Sequence, residues 1–379
     1  MNQPQPDTDA TAPACEQFHV RCTGCGATLT YAASAGKLKC EYCGTEVDIT
    51  APNGPQAIVE HDLEEALVSP TVPRGLGTDS RTVSCESCGA TMQVAPDVVA
   101  DRCDFCGSPR VAMHNADTDL IRPESLVPFH IDRDGAQSRF RQWLHSLWFR
   151  PSDLEKIATL RDLAGVYVPY WTFDASVDSR WTAMSGFYYW ETESYTTTEN
   201  GQTVTKTRQV QKTRWVPSSG SRADQYNDVL VCASHGLPPD LADRLSTFDT
   251  GKLVPYEPAY LAGWKAESYA VGLPSAWKTG HERMCQSQYA RCGADVPGDT
   301  HMNLNVSNRF SDKTFKQIFL PVWLAAYRYG DTVYRFLVNG QTGEIEGKAP
   351  LSWGKIVLFV LALLAAAGLV ALGFALTHR

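Results

Sequence analysis

The chain has 379 residues, 43% hydrophobic and 10% aromatic, with 34 Lys and Arg against 42 Asp and Glu, a formal net charge of −8. This length holds two or three domains and this composition can bury a real core, which excludes a fibrous or wholly disordered chain. The acidic balance counts against a nucleic-acid binder, which needs clustered Lys and Arg to release phosphate counterions.

Residues 1–14, MNQPQPDTDATAPA, are polar and Pro-rich and predict a disordered tail. One pattern then occurs twice, in residues 22–50 and 85–112: Cys-x2-Cys-Gly, thirteen residues, Cys-x2-Cys-Gly. A Cys-x2-Cys hairpin points two thiolates at one ion, and two such hairpins complete a tetrahedral all-sulfur site. The predicted ligands are Cys22, Cys25, Cys40 and Cys43 in a first zinc ribbon (15–50), and Cys85, Cys88, Cys103 and Cys106 in a second (81–112). Gly26, Gly44, Gly89 and Gly107 follow each hairpin, where the chain must turn with positive φ. Two structural Zn2+ per chain follow, because a closed four-cysteine site leaves no open position for catalysis. The ribbons are too short to bury a core, and the metal takes its place at roughly 10–16 kcal/mol per ion.

Residues 51–80 form a linker broken by Pro and Gly, with one short amphipathic helix expected to turn Ile58, Leu63 and Leu67 inward. A larger domain spans 120–350. Phe140, Trp143, Leu144, Leu147 and Trp148 fall at helical spacing and read as a core-facing stripe. Pro151 stops that helix, and Ser152 with Glu155 opens a second one. VYVPYWTFDASVD reads as a strand. FYYWETESYTTT and TVTKTRQVQKTRW flank an Asn200-Gly201 turn and read as a hairpin. Lys206, Arg208, Lys212 and Arg214 share one face there, opposed by Glu191 and Glu193. Residues 222–250 read as short helices and turns, and 276–295 as a helix. NLNVSNRF, KQIFLPVWLAAYRY, VYRFLVNG and QTGEIEG read as an antiparallel meander. YVPYWTF and FLPVWLA share a pattern that two paired edge strands with matching prolines would explain.

Residues 356–376 carry no charge over 21 positions, about the ~30 Å of a bilayer's hydrocarbon, and predict a transmembrane helix over 354–376. Trp353 and Lys355 mark its near interface; Ala367, Ala371 and Ala375 form a small-residue stripe that leaves homo-oligomerisation open. A C-terminal span, the reduced thiols and the flanking Lys348 and Lys355 place the body in the cytoplasm, tail-anchored in the inner membrane. Cys15, Cys232, Cys285 and Cys292 show no ligand spacing. No phosphate-binding Gly-x4-Gly-Lys loop, zinc-protease helix motif or nucleophile elbow occurs, so no catalytic residue is assigned and no enzyme is expected.

Two Cys-x2-Cys-Gly ribbons, LVPF, YVPYW, the YY…NGQTV…KTRW hairpin, LVPY…LAGW, LPVWLAAYRY, VNGQTGEIEG and a terminal span occur in that order. This order resembles bacterial membrane-anchored double zinc-ribbon proteins, often labelled TFIIB-type zinc ribbon protein or primosomal protein N′ (PriA-type helicase). The chain has none of the helicase ATPase motifs. The resemblance implies a scaffold in an envelope-stress system with a soluble partner of SPFH or virion-core-like type. The fold class expected is therefore two small rubredoxin-like zinc ribbons, an α+β, antiparallel-sheet-rich domain and one transmembrane helix. The function expected is a non-enzymatic, membrane-tethered adaptor whose ribbons present rigid loops to a cytoplasmic protein. The alternative is a membrane-associated, replication-related nucleic-acid-binding ribbon protein.

Overall fold

The computed structural model describes residues 20–49, 57–68, 72–75, 81–94, 102–115, 120–154, 163–199, 202–245, 247–330 and 332–377. The expected N-terminal tail, Cys15, the Asn200-Gly201 turn and most of the helix after Ser152 lie outside them. The first ribbon is a three-stranded antiparallel sheet of β1 (Leu29–Ala32), β2 (Lys37–Cys40) and β3 (Glu46–Val47). β4 (His61–Asp62) and α1 (Leu63–Val68) follow. The second ribbon is built from β5 (Arg81–Cys85), β6 (Thr91–Val94) and β7 (Val111–Asn115). Then come β8 (Ser125–Leu126), α2 (Arg133–Ser146), β9 (Ala164–Glu199), β10 (Gln202–Cys232), α3 (Pro239–Arg244), β11 (Val254–Pro255) and β12 (Lys265–Glu267). The chain closes with α4 (Leu273–Asp295), β13 (Thr300–Tyr329), β14 (Thr332–Asn339), β15 (Ile345–Gly347) and α5 (Trp353–Thr377).

β9 organises the molecule. It pairs antiparallel with β10 on one side and β13 on the other. At ~3.3 Å per residue its 36 residues run roughly 115 Å. Its first half is buried without alternation: Val166, Tyr167, Val168, Tyr170, Trp171 and Phe173 are all 0–1% exposed. A strand reads this way only when both faces of its sheet are covered. One face carries Tyr167 and Phe319 with the first ribbon's Leu29, Tyr31 and Leu38. The other carries Val166, Val168 and Tyr170 with the second ribbon's Val83, Cys85, Cys103 and Phe105. The two ribbons therefore cover opposite faces of one sheet.

Strands this long need breaks. β13 shifts register between Met302 and Asn305 and between Ser311 and Thr314, and β10 shifts between Tyr226 and Val229. Asn303, Asp312 and Asp228 occupy these bulges with φ of 55°, 48° and 52°. Asn and Asp tolerate the left-handed region better than other side chains, so each bulge is written locally. These bulges also explain why the sequence reads as several short strands where the structure has one. Residues 222–232 continue β10 rather than forming turns, and NLNVSNRF and KQIFLPVWLAAYRY are one strand.

The two Pro-containing patterns do pair: Pro169 faces Phe319 and Pro321 faces Tyr167. They lie in central strands, not at edges. Each proline falls where its strand changes outer partner. β9 leaves β10 at Tyr170 and meets β12 at Val166–Tyr167, and β13 leaves β8 at Phe319 and meets β14 at Val322. The Pro169 and Pro321 carbonyls accept from the loop amides of Ala233 and Gly340. Their missing N–H groups fall in the gaps, where no ladder bond is lost.

The α2 stripe faces the core as expected except at Trp148: Trp143 and Leu147 pack partly buried against the same core as Phe140 and Leu144. Phe140 and Leu144 are buried and Phe140 stacks on Phe336 at 3.8 Å. Trp148 lies beyond the helix end and is 76% exposed, so it is not a core residue. In the linker Leu63 is buried, but Ile58 precedes α1 and Leu67 is exposed. The segment is held instead by β4 on β13 and by Lys316, which contacts Glu60.

α4 lies along the sheet, with Gly280 against Phe173 and Cys292 against Trp181 and Ala183. Asp224 of β10 accepts from Arg222, Gln288 and Arg291, and these donors hold its carboxyl below the usual carboxylate range, with Arg222 the largest contributor. α5 is exposed from Val357 to Val370 and is long and apolar enough to cross a membrane.

Candidate metal centres

Each ribbon brings its four predicted cysteines together. The sulfurs of Cys22, Cys25, Cys40 and Cys43 lie within 4.8 Å of one another, and so do those of Cys85, Cys88, Cys103 and Cys106. Sulfur–sulfur separations include 3.5 Å (Cys22–Cys43 and Cys25–Cys40), 3.6 Å (Cys85–Cys106) and 3.7 Å (Cys88–Cys103). A tetrahedral ion bonded at about 2.3 Å needs sulfurs about 3.8 Å apart, whereas a disulfide needs about 2.05 Å. Both groups fit a metal ion.

The four hairpins are copies of one local structure. The amides of Gly26, Gly44, Gly89 and Gly107 donate to the carbonyls of Cys22, Cys40, Cys85 and Cys103 at 2.8–3.0 Å. Their φ angles are 76°, 75°, 75° and 70°. A side chain there would be strained, so glycine closes the turn. The electrostatics also ask for a cation. The Thr45 hydroxyl and amide pull the Cys43 thiol down to about 6. Cys25 is pushed up to about 12: the Ala27 amide favours its thiolate, but hydrogen bonds with the Cys40 and Cys43 sulfurs hold the proton on it. Four thiols this close ionise together only around a positive ion.

The two centres differ in support. The first ribbon docks by its strands: the Tyr31 amide donates to Ala262 O at 2.9 Å and Trp264 Nε1 donates to Tyr31 O at 2.9 Å. Cys25 and Cys43 stay exposed, as does Tyr42 at the knuckle tip. The second ribbon is part of the large sheet, because β6 pairs with β12 and β12 pairs with β9. Its Phe105 presses on Gly236, where an added Cβ would lie 2.6 Å from the ring, and Lys265 bonds Asp104 at 2.7 Å. A cavity of about 610 Å³ lies between this knuckle and Trp264 and Trp323. A closed four-sulfur centre offers it no open coordination position.

Other reactive groups do not assemble a site among the described residues. Burial pushes the Cys232 thiol up to about 12, which makes it inert. Cys285 Sγ lies 3.8 Å from His281 Nδ1, but that imidazole packs on Phe310 and Trp277 and no carboxylate bonds it. Glu60, Asp174 and Asp228 converge on the buried Lys316 ammonium, which bonds Asp228 at 2.6 Å. Sequence reasoning missed this cluster because Glu60, Asp174, Asp228 and Lys316 are scattered along the chain.

Glu267 gives a measurable pH signature. It is fully buried on β12, accepts from Ser234 at 2.7 Å, and burial pushes its carboxyl up to about 8 against the Ser234 and Gly236 donors. The folded value lies above the ordinary 4.5, so this group's contribution to stability is complete below 4.5 and is lost as pH rises to about 8. Wild type should lose stability relative to Glu267→Gln across that window, by up to roughly 1.4 kcal/mol per pH unit. Urea midpoints measured across this range test it; parallel profiles for the two chains would refute it.

No protein-family model matches the chain, and no solved structure matches it. A protein of Bacillus subtilis (strain 168), described as uncharacterized protein YdjG, is 24% identical over 337 residues, covering 89% of this chain and 91% of its own length.

Proposed function

We propose that this chain is a non-enzymatic, membrane-tethered adaptor, built around two structural zinc ions, that recruits a cytoplasmic protein to the bilayer surface. Zinc is the ion favoured by an all-thiolate tetrahedral set. α5 supplies the anchor. Lys348 and Lys355 beside it, and thiol centres that need a reducing compartment, favour a cytoplasmic body.

The observation that carries the recruiting role is the free end of the β9–β10 hairpin. Beyond Gly186 the two strands have, among the described residues, only each other as sheet partners. Cross-strand partners share a face, so the register sorts every side chain. One face holds Glu191, Glu193, Lys206, Arg208, Lys212 and Arg214, with Phe187, Tyr189 and Tyr195 among them. The other holds Tyr188, Trp190 and Trp215 with Thr, Ser and Gln, and no charge. Tyr188 is 47% and Trp190 65% exposed. Exposed Trp and Tyr on a rigid, uncharged surface are what protein partners use as anchors. The ribbons, packed into the body, serve this reading as supports rather than as the main docking loops.

The basic residues favour nucleic acid less. Lys212 bonds Glu191 at 2.8 Å and Glu193 at 3.0 Å, and Arg208 bonds Glu193 at 3.4 Å, so these cations are answered within the hairpin. Two experiments test the proposal. Elemental analysis should find two zinc ions per chain; one or none in a folded chain would sink that part. Crosslinking in membranes should capture a soluble protein with wild type and lose it with Tyr188→Ser/Trp190→Ser, membrane residence unchanged. A variant that keeps every captured protein would move recruitment elsewhere.

A further inference from the structure

Where α5 leaves the body, an open depression of about 370 Å³ lies between the end of α2 and the first turn of the helix. His145, Trp148, Arg150 and Lys355 line it. The place is built rather than incidental. Ser352 N donates to Phe149 O at 2.7 Å, and Phe359 meets Phe149 edge to face at 5.4 Å. Lys355 and Phe359 are four residues apart, on one face of α5. The contact that seats Phe359 therefore turns Lys355 toward Arg150, some two hundred residues away in sequence. Arg150 Nη2 donates to His145 Nδ1 at 3.5 Å, which orients the guanidinium at the rim.

Trp148 in its lining is 76% exposed, and Trp353, at the start of α5, is 73% exposed. On a surface facing only water, this exposure has no packing explanation. At the level where an apolar helix enters a bilayer, indole rings are favoured, with the ring against the acyl boundary and the N–H in the headgroups. A free phosphate ion would use the cations and leave the indoles unexplained. A phospholipid uses both.

We propose that this depression is a headgroup site for an anionic phospholipid, with Arg150 and Lys355 on the phosphate and Trp148 at the acyl boundary. The proposal rests on the reading that α5 crosses a bilayer. The guanidinium offers paired donors to phosphate oxygens and the ammonium a compact charge, which together suit a group of one to two negative charges. Two patches of the same polypeptide, one on the body and one on the helix, would then close on a single lipid and fix the angle at which the body sits.

Native mass spectrometry of the detergent-solubilised full chain tests it, with phosphatidylglycerol and phosphatidylcholine of matched acyl chains. Wild type should retain phosphatidylglycerol preferentially. Arg150→Gln/Lys355→Gln should weaken that retention by roughly tenfold or more, the scale expected for two juxtamembrane cations. Arg150→Lys/Lys355→Arg should keep most of it and shows that the position tolerates substitution. Lys348→Gln removes a nearby cation that is paired with Asp240 outside the depression, and should change little. Equal retention of the two lipids by wild type, or equal losses in Lys348→Gln and the double Gln variant, overturns the proposal. So does displacement of the lipid by inorganic phosphate, which would make this a free-anion site. Alkaline extraction of native membranes separates the two levels: release of the full chain refutes the spanning reading itself, whereas a retained chain without lipid preference refutes only the headgroup site.

Discussion

Cys103→Ser is expected to unfold far more of the molecule than Cys40→Ser. Each removes one ligand of four, and each should empty its centre, whose ion is worth roughly 10–16 kcal/mol to the folded ribbon. That exceeds or matches the ~5–15 kcal/mol that holds a whole domain together. The consequences differ because the surroundings differ. Around the first centre, the three-stranded sheet pairs with no body strand among the described residues; Leu29, Tyr31 and Leu38 pack on one face of the body, so its loss uncovers that face and leaves the β9 ladder intact. Around the second, β6 supplies β12 with its outer neighbour, and Cys85, Cys103 and Phe105 share a core with Val166, Val168 and Tyr170. Losing that ribbon strips an edge and a face from the central sheet at once. Cys40→Ser should retain one metal ion and a cooperative thermal transition for the body; Cys103→Ser should retain neither the body's transition nor a soluble yield near wild type. A Cys103→Ser chain that melts like Cys40→Ser would mean the second ribbon is a separable module.

Deleting residues 353–377 should move the protein completely from the membrane to the soluble fraction. Fourteen consecutive residues, Val357–Val370, are exposed, and nearly all are apolar. At about −0.3 to −0.6 kcal/mol for each Leu, Ile, Phe or Val at the bilayer centre, their insertion outweighs any surface contact made by the body. The measurement is fractionation after a high-salt wash. If the truncated chain stays with the membrane, the body carries a second membrane attachment, and α5 is not the anchor on its own.

What the sequence makes legible follows the range of the physics. The two four-cysteine clusters could be read because the Cys spacing and the closing glycine sit within five residues. The long apolar helix could be read because no polar residue interrupts it. The charged face of the hairpin could be read from parity alone, and Lys212 and Arg208 do meet Glu191 and Glu193. The unity of the long strands could not. Asn303, Asp312 and Asp228 look like ordinary turn residues until a partner strand shows them to be bulges. β12 carries the join between ribbon and body in three residues, Lys-Ala-Glu, which have no strand signature. Trp148 sits at helical spacing with Phe140 and Leu144, and only the helix ending at Ser146 and its neighbour Phe149 meeting α5 reveal the different setting.

The pairing of β9 with β13 also sets the order in which the protein can be made. Val166 lies opposite Val322, 156 residues later. A ribosome adding about 5–20 residues per second needs on the order of 8–30 s to cover that distance. Each ribbon closes its own short loop and can bind metal as soon as it emerges. Through the interval that follows, Trp171, Phe173 and their neighbours wait with one side of their strand unmatched. Such long-range closure is slow and exposes sticky chain to the crowded cell. The early ribbons lie on the two faces that β9 will need covered, so they offer the waiting strand shelter before its permanent partner exists.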